Sequence, residues 1–408
     1  MPQRLRSARP FHGLFQRLRQ SDGDRRPLQE AAQLALQVEF ATIPVYLTGM
    51  YSISDTGSVA YQALRAVVME EMFHVNQAAN LVVALGALPR FTGDAAPTYP
   101  GYLPHANEST TPLLGLVRAS RDVFESLYAA IESPAPAGAT PQGDQYDTIA
   151  QLYDALKDGI LAYPGNPFEA PAPEGRQRTD IYLGKFGGHV IEVTDVKSAL
   201  LGIEEIVKQG EGTVPARKPL VDMQPFGAYN HYGTRTDGTY GPILGTPYEL
   251  SHFSRFRQVS VSKEPFPETL PITSNPNEED YSNPSAQHLS QLFDNAYSVM
   301  LKAFELSFRA GPDPYFGVVL DTMHQVLPNL ARSLMTTAAF DGGNHSVGPN
   351  ATPAWRWRSD AALDQTGQRL RQLSAQPPAG LPPAAQAHLA QASDAWQRLV
   401  VAKALPAL

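Results

Sequence analysis

Two acid–imidazole pairs stand out in the chain, Glu71 with His74 inside Glu70-Glu71-Met72-Phe73-His74, and Glu249 with His252. Read as helix, residues three apart share a face, so each pair can present a carboxylate and an imidazole to one metal ion. A lone glutamate precedes each pair in an apolar helical stretch, Glu39 by 32 residues and Glu211 by 38. Two such pairs plus two single glutamates make up the ligand inventory of a helical di-metal carboxylate centre. An unpaired carboxylate on an apolar stripe is costly to bury. The nearby basic side chains, Lys208 and Arg255, are too few to offset four of them, whereas a multiply charged cation would.

The spacing leaves choices open. Glu70 also faces His74, at i to i+4, and reads as an alternative ligand or as support behind the ligands. Glu204 and Glu211 are seven apart and share a face, so either can be the lone glutamate of the second half. Asp321-x-x-His324 imitates the pattern, but no glutamate partners it upstream and Pro328 follows closely; it reads as an imitation. Tyr46, seven residues after Glu39, and Phe73 and Phe253, each adjoining a ligand histidine, are candidate pocket residues, although core packing accounts for all three.

The elements that must carry these groups are helical. Pro27 opens a helix whose Leu28, Ala32, Leu36 and Glu39 share a face, and Pro44 is expected to kink or interrupt it. A second helix runs from about Val59 to Gly86, with Leu64, Val67, Glu71, His74, Ala78 and Leu81 on one stripe. Further helices are expected over Leu113–Ile131, Tyr146–Tyr163, Asp195–Glu211, around Glu249–His252, over Ala286–Arg309 and Tyr315–Phe340, and within Pro377–Leu405. Long loops are expected at Arg90–Pro112 and Pro215–Pro247. The segment from Ile181 to Val193, around Gly187-Gly188, is the one β-like stretch and reads as a small hairpin. The chain divides on this reading into a basic arm (1–26), a helical domain (27–345) and a C-terminal helical extension (346–408).

Composition narrows the function. The 408 residues are 43% hydrophobic and 18% charged, as in a globular protein with a sizeable core. No apolar run approaches the ~18 residues of a membrane span, and a net charge of −8 argues against a nucleic-acid partner. Cysteine is absent, which removes disulfides, iron–sulfur ligation, thiolate zinc and a cysteine nucleophile. The arginines of the first 20 residues suit a transit peptide or, preferably, a surface arm. No secretory core is present, and a cytoplasmic location is expected.

Glu39-Phe-Ala-Thr-Ile-Pro-Val-Tyr-Leu, Glu70-Glu-Met-Phe-His, Tyr146-Asp-Thr-Ile-Ala-Gln-Leu-Tyr, Gln209-Gly-Glu-Gly and Ser251-His-Phe-Ser-Arg-Phe together resemble the ferritin-like family of the iminophenyl-pyruvate dimer synthase type. That family belongs to violacein- and rebeccamycin-type pathways, and this chain reads as a shorter, stand-alone member. The resemblance implies a mainly α, ferritin-like four-helix bundle with long loops and additional C-terminal helices. It also implies Glu211, rather than Glu204, as the second lone ligand.

The expected function is a non-haem di-metal oxidase or oxygenase of secondary metabolism, acting on a small amino-acid-derived or aromatic substrate with O2 as co-substrate. Glu39, Glu71 and His74 would hold one metal and Glu211, Glu249 and His252 the other. Oxygen-rich ligation with neutral imidazoles favours iron, with manganese second. An electron donor and a homodimer are the partners considered. The competing expectation is a metal-binding or peroxide-scavenging protein without an organic substrate, against which the long loops count.

Overall fold

The two longest apolar stripes of the sequence become the two central helices. A computed structural model of the chain describes residues 11–20, 22–134, 140–141, 143–181, 190–210 and 250–403. A short α1 (Leu14–Arg19) leads into α2 (Arg26–Ser52), which folds back through a tight turn onto α3 (Val59–Ala84). Pro27 occupies the first turn of α2, where its missing N–H costs least. The Ser58 side chain accepts from Tyr61 N and starts α3. Gly86 adopts φ 90° to end it, the left-handed conformation a helix stop favours in glycine. Both helices are apolar round most of their circumference and correspondingly buried.

Against one side of this pair lie α4, α5, α6 and α7. Helix α4 comprises Arg121–Val123, a π turn Phe124–Tyr128, and Ala129–Ile131; α5 is Ile149–Ala162, α6 Val196–Gln209 and α7 His252–Val261. With α2 and α3, the packed pair of α4 and α7 forms the four-helix core. Gly49 leaves room on α2 for the Tyr128 side chain of α4, because a Cβ there would collide with its hydroxyl.

Against the other side lie α8 (Pro284–Ser307) and α9, which comprises Phe316–Asp321, a π turn Thr322–Val326, and Leu327–Met335. Helices α10 (Leu363–Ala375) and α11 (Pro383–Lys403) pack on these. Trp355, from the segment between α9 and α10, donates to Thr48 Oγ1 of α2 at 2.9 Å and ties the C-terminal part to the centre. Among the described residues no helix is long and apolar enough to cross a membrane.

Several local expectations are corrected. Helix α2 passes through Pro44 unbroken; it is clamped between two layers, and the Tyr99 hydroxyl donates to the Ala41 carbonyl (2.7 Å) in the disturbed turn. Helix α4 starts at Arg121 rather than near Leu113, because the Ser120 hydroxyl caps it by accepting from Val123 N. The backbones of Leu114 and Leu116 are instead bonded to Gly101 and to the Asn275 side chain. The hairpin expected at 181–193 falls largely outside the described residues, which contain only isolated β-bridges. Within the stretch expected as an arm, Leu14, Phe15 and Leu18 of α1 are buried, and α1 packs on α5.

Candidate metal centre

The hairpin geometry of α2 and α3 sets the level of the site. Glu39 lies 13 residues before the end of α2 (52 − 39) and Glu71 12 residues after the start of α3 (71 − 59). At the same rise per residue the two therefore meet at equal height, with His74 one turn along from Glu71. Opposite them, Glu132 closes the C-terminal end of α4 and His252 opens the N-terminal end of α7.

These side chains form one buried cluster. His74 Nδ1 is 3.4 Å from Glu39 Oε2 and 3.7 Å from Glu71 Oε2. His252 Nδ1 is 2.9 Å from Glu71 Oε1 and 3.7 Å from Glu132 Oε2. Glu71 thus lies between the two imidazoles, one oxygen towards each, and the rings are stacked with centroids 5.3 Å apart. Glu71, His74 and His252 each offer a donor atom, all within 4.8 Å of one another, so this group could hold a metal ion.

The far side of each ring is occupied. Gln209 Oε1 lies 3.0 Å from His74 Nε2, and Glu70 Oε2 lies 3.0 Å from His252 Nε2. An acceptor at Nε2 fixes a proton there and leaves the Nδ1 lone pair facing the cluster, as the ligands of a metal require. Glu70 is held in turn by Arg255 Nη2 at 3.0 Å. The Tyr46 hydroxyl donates to Glu132 Oε1 at 2.5 Å and fixes that carboxylate.

Charge is out of balance. Glu39, Glu70, Glu71 and Glu132 are each at most 3% exposed, and Arg255 is the one permanently charged cation paired within the cluster among the described residues. Burial pushes the His74 imidazole down, but Glu39 and Glu71 beside it outweigh this and hold it up at about 10. His252 is likewise raised far above its ordinary range, with Glu132, Glu70 and Glu71 overcoming its burial. Burial raises the Glu39 carboxyl, with His74 opposing. Glu70, despite its burial, is lowered by Arg255 and His252. A bound cation would replace the two imidazole protons as counter-charge. The orphaned atoms agree with that reading: Glu39 Oε1 and Glu71 Oε2 are buried without a hydrogen-bond partner, a costly state unless something else fills their valence.

Of the sequence-derived residues, Glu39, Glu71, His74 and His252 converge here, and Glu70 stands behind His252. Glu211 and Glu249 lie outside the described residues, and α7 begins at His252 itself. Glu204 faces solvent and pairs with Lys208 at 2.6 Å, away from the cluster. Tyr46 and Phe73 are fully buried, Tyr46 through its bond to Glu132 and Phe73 against His74 (centroids 5.8 Å); Phe253 is half-buried on α7. Sequence reasoning passed over Glu132 and Gln209. Glu132 sits four residues beyond Tyr128 on a stripe with Phe124 and Leu127, which was a usable signal.

A narrow cleft lies beside the cluster, lined by Glu39, His74, Glu132, Ile149, Tyr153 and Ile206 among others.

The ferritin-like family profile matches residues 32–261, more than half of the chain. Dichlorochromopyrrolate synthase of Lentzea aerocolonigenes is 25% identical over 346 residues, 76% of this chain and 32% of that protein. The 2-imino-3-(indol-3-yl)propanoate dimerase of Chromobacterium violaceum is 25% identical over 362 residues, 77% of this chain and 30% of that protein. The match therefore covers about a third of the length of these curated relatives. In three dimensions it resembles a ferritin-like protein from Caulobacter vibrioides, with a TM-score of 0.52 at 21% identity, covering 81% of this chain and 97% of the other. The helical bundle, its buried carboxylate–imidazole cluster and the match over residues 32–261 lead to one conclusion: the chain belongs to the ferritin-like family.

Proposed function

We propose that the protein is a non-haem di-metal oxidase or oxygenase, with iron as the favoured metal, acting on a small aromatic or amino-acid-derived substrate. The observation that carries this reading is the set of buried donors left without partners around two imidazoles whose Nδ1 atoms face inward. Glu39, Glu71 and His74 would hold one ion, and Glu71, Glu132 and His252 the other, with Glu71 as the shared carboxylate. Glu211 and Glu249 remain candidate ligands from the sequence. Carboxylate oxygen with imidazole nitrogen suits iron or manganese, and such a pair of ions, when bound, supplies redox capacity towards O2.

The protein's own residues do the rest. Gln209 and Glu70 orient the imidazoles. Tyr46 keeps its proton, because burial and the carboxylates Glu132 and Glu71 raise its phenol far above the ordinary range, and it holds Glu132 in place. Tyr153, similarly raised by burial and by Glu39, lines the cleft and keeps a phenol proton at its wall. The aromatic or amino-acid-derived substrate class is supported by the names of the two relatives, of which the match covers 32% and 30%.

The test is metal analysis of the full chain produced with iron and manganese both supplied, beside the Glu71→Ala, His74→Ala double variant. The expected result is about two metal ions per chain, lost in a variant that keeps its helical circular dichroism. Metal-free, fully folded wild-type protein would sink the proposal. Loaded protein that consumes O2 with no candidate aromatic amino acid or imine would point instead to metal storage or peroxide scavenging.

A further inference from the structure

An apolar gap of about 60 Å³ lies between α2, α3, α8 and α9. Phe40 of α2 borders it, and Met72, Met300 and Met323 bring thioethers to it from α3, α8 and α9. Phe40 follows Glu39 and Met72 follows Glu71, so the gap lies about a quarter turn round the same two helices from the candidate ligands. It shares no lining residue with the cleft beside them. Methionine is the side chain that most readily fills an irregular gap, yet here it lines the space without closing it. The walls forgo the contacts that a filled interior would give them.

The surface of the gap offers water nothing. Its lining is almost wholly apolar. The Trp355 indole N–H, on one wall, is spent on Thr48 Oγ1, and the Tyr297 hydroxyl, on another, has almost no accessible surface to present. A water held in a cavity needs two to four polar partners, and a cavity that supplies none stays dry. Size narrows the occupant further. The gap exceeds the roughly 10–15 Å³ that a single water requires, and falls well short of an engineered cavity of about 150 Å³ that takes benzene. It suits a monatomic or diatomic apolar gas. Such a gas leaves water for apolar surroundings by the same effect that buries hydrocarbon.

We infer that this gap is a dry holding site for a small apolar gas, dioxygen in the working protein. That dioxygen is the gas rests on the oxidase or oxygenase reading above; the capacity for a gas of this size and polarity does not. No bond is made or broken in the gap. It concentrates O2 against the two helices that carry Glu39, Glu71 and His74.

The methionines make the test direct. Met72, Met300 and Met323 report from the walls, and Met335, fully buried on α9 but not lining the gap, is the control for burial alone. The full chain, labelled at its methionine methyl groups and stripped of paramagnetic metal with a chelator, is observed by NMR under xenon and under O2. Under rising xenon pressure the wall methyls should shift along saturating curves. Under O2 they should relax faster than Met335, and added xenon should displace the gas and reverse that. In Val319→Phe, whose larger side chain fills the gap from α9, both responses should be lost; Leu320→Trp, from a half-buried wall position, serves should the first variant unfold. Wall methyls that respond no more than Met335, responses that survive a folded filling variant, or O2 relaxation that xenon does not relieve would each overturn the assignment. Metal analysis before chelation reports separately on the oxidase reading. Loaded protein with unresponsive wall methyls would lose this site alone, and metal-free protein with responsive ones would keep the gas site and lose the reading on which dioxygen rests.

Discussion

On α3, Glu71 and His74 turn a carboxylate and an imidazole into a buried cluster with three further carboxylates, whereas on α9 Asp321 and His324, at the same spacing, do not. Asp321 ends the first α-helical part of α9, and His324 falls in the π turn that follows, where the wider winding rotates residues three apart off a common face. His324 reaches the surface. The surrounding protein and Arg65 push its imidazole down, while the carboxylates around His74 push that one up to about 10. An acid–x–x–histidine pair is therefore only half of a site. The other half is what faces it: Glu39, Glu132 and His252 in one case, a like charge in the other.

The largest effect that can break this comparison is on metal content. Asp321→Ala with His324→Ala should leave the metal load of the protein unchanged. The same pair of changes at Glu71 and His74 should remove it. Equal losses from both double variants, measured on folded protein by elemental analysis, would mean that the facing residues do not distinguish the two motifs.

A smaller effect should come from the groups behind the imidazoles. Gln209→Leu takes away the acceptor at His74 Nε2, and Glu70→Gln weakens the one at His252 Nε2. Outer partners of this kind are typically worth about 10–100-fold in metal affinity. Chelator competition should place Glu70→Gln at the upper end, because that change also leaves Arg255 without its carboxylate. Affinities unchanged in both variants would remove these two residues from any positioning role.

How much of this could be read from the sequence depended on the kind of signal each residue carried. Glu39, Glu71 and His74 lie deep inside long, regular stripes, so helical spacing alone brought them to one face and one level. Glu132 was missed because α4 is short, broken by a π turn and ends just before Ser133-Pro134; a stripe of two turns does not announce its last residue. Gln209 opened one of the family motifs, but its role was missed for a different reason. An amide at a helix end has no chemistry until its neighbour is known, and that neighbour, His74, is 135 residues away. Glu204 looked equivalent to Glu211 by spacing, yet it sits on the solvent face of α6, where Lys208 one turn on gives it a partner.

The smallest effect concerns protons rather than metal. His324 holds its proton less tightly in the folded chain than at its ordinary value of 6.5. The unfolded chain therefore binds more protons as pH falls below 6.5, and that difference favours unfolding. The stability contributed by the neutral ring is fully present above pH 6.5 and is lost as pH falls through the lower, folded value. Urea unfolding of the wild type and of His324→Gln, compared at pH 7.5 and at pH 5, should show a shallower loss in the variant. Partial exposure of the ring keeps the difference small. Both chains keep His74 and His252, so their titration is common to the two and His324 is the group that differs. A variant with the same pH slope as the wild type would show that Arg65 and the surrounding protein do not set this histidine apart from an ordinary surface one.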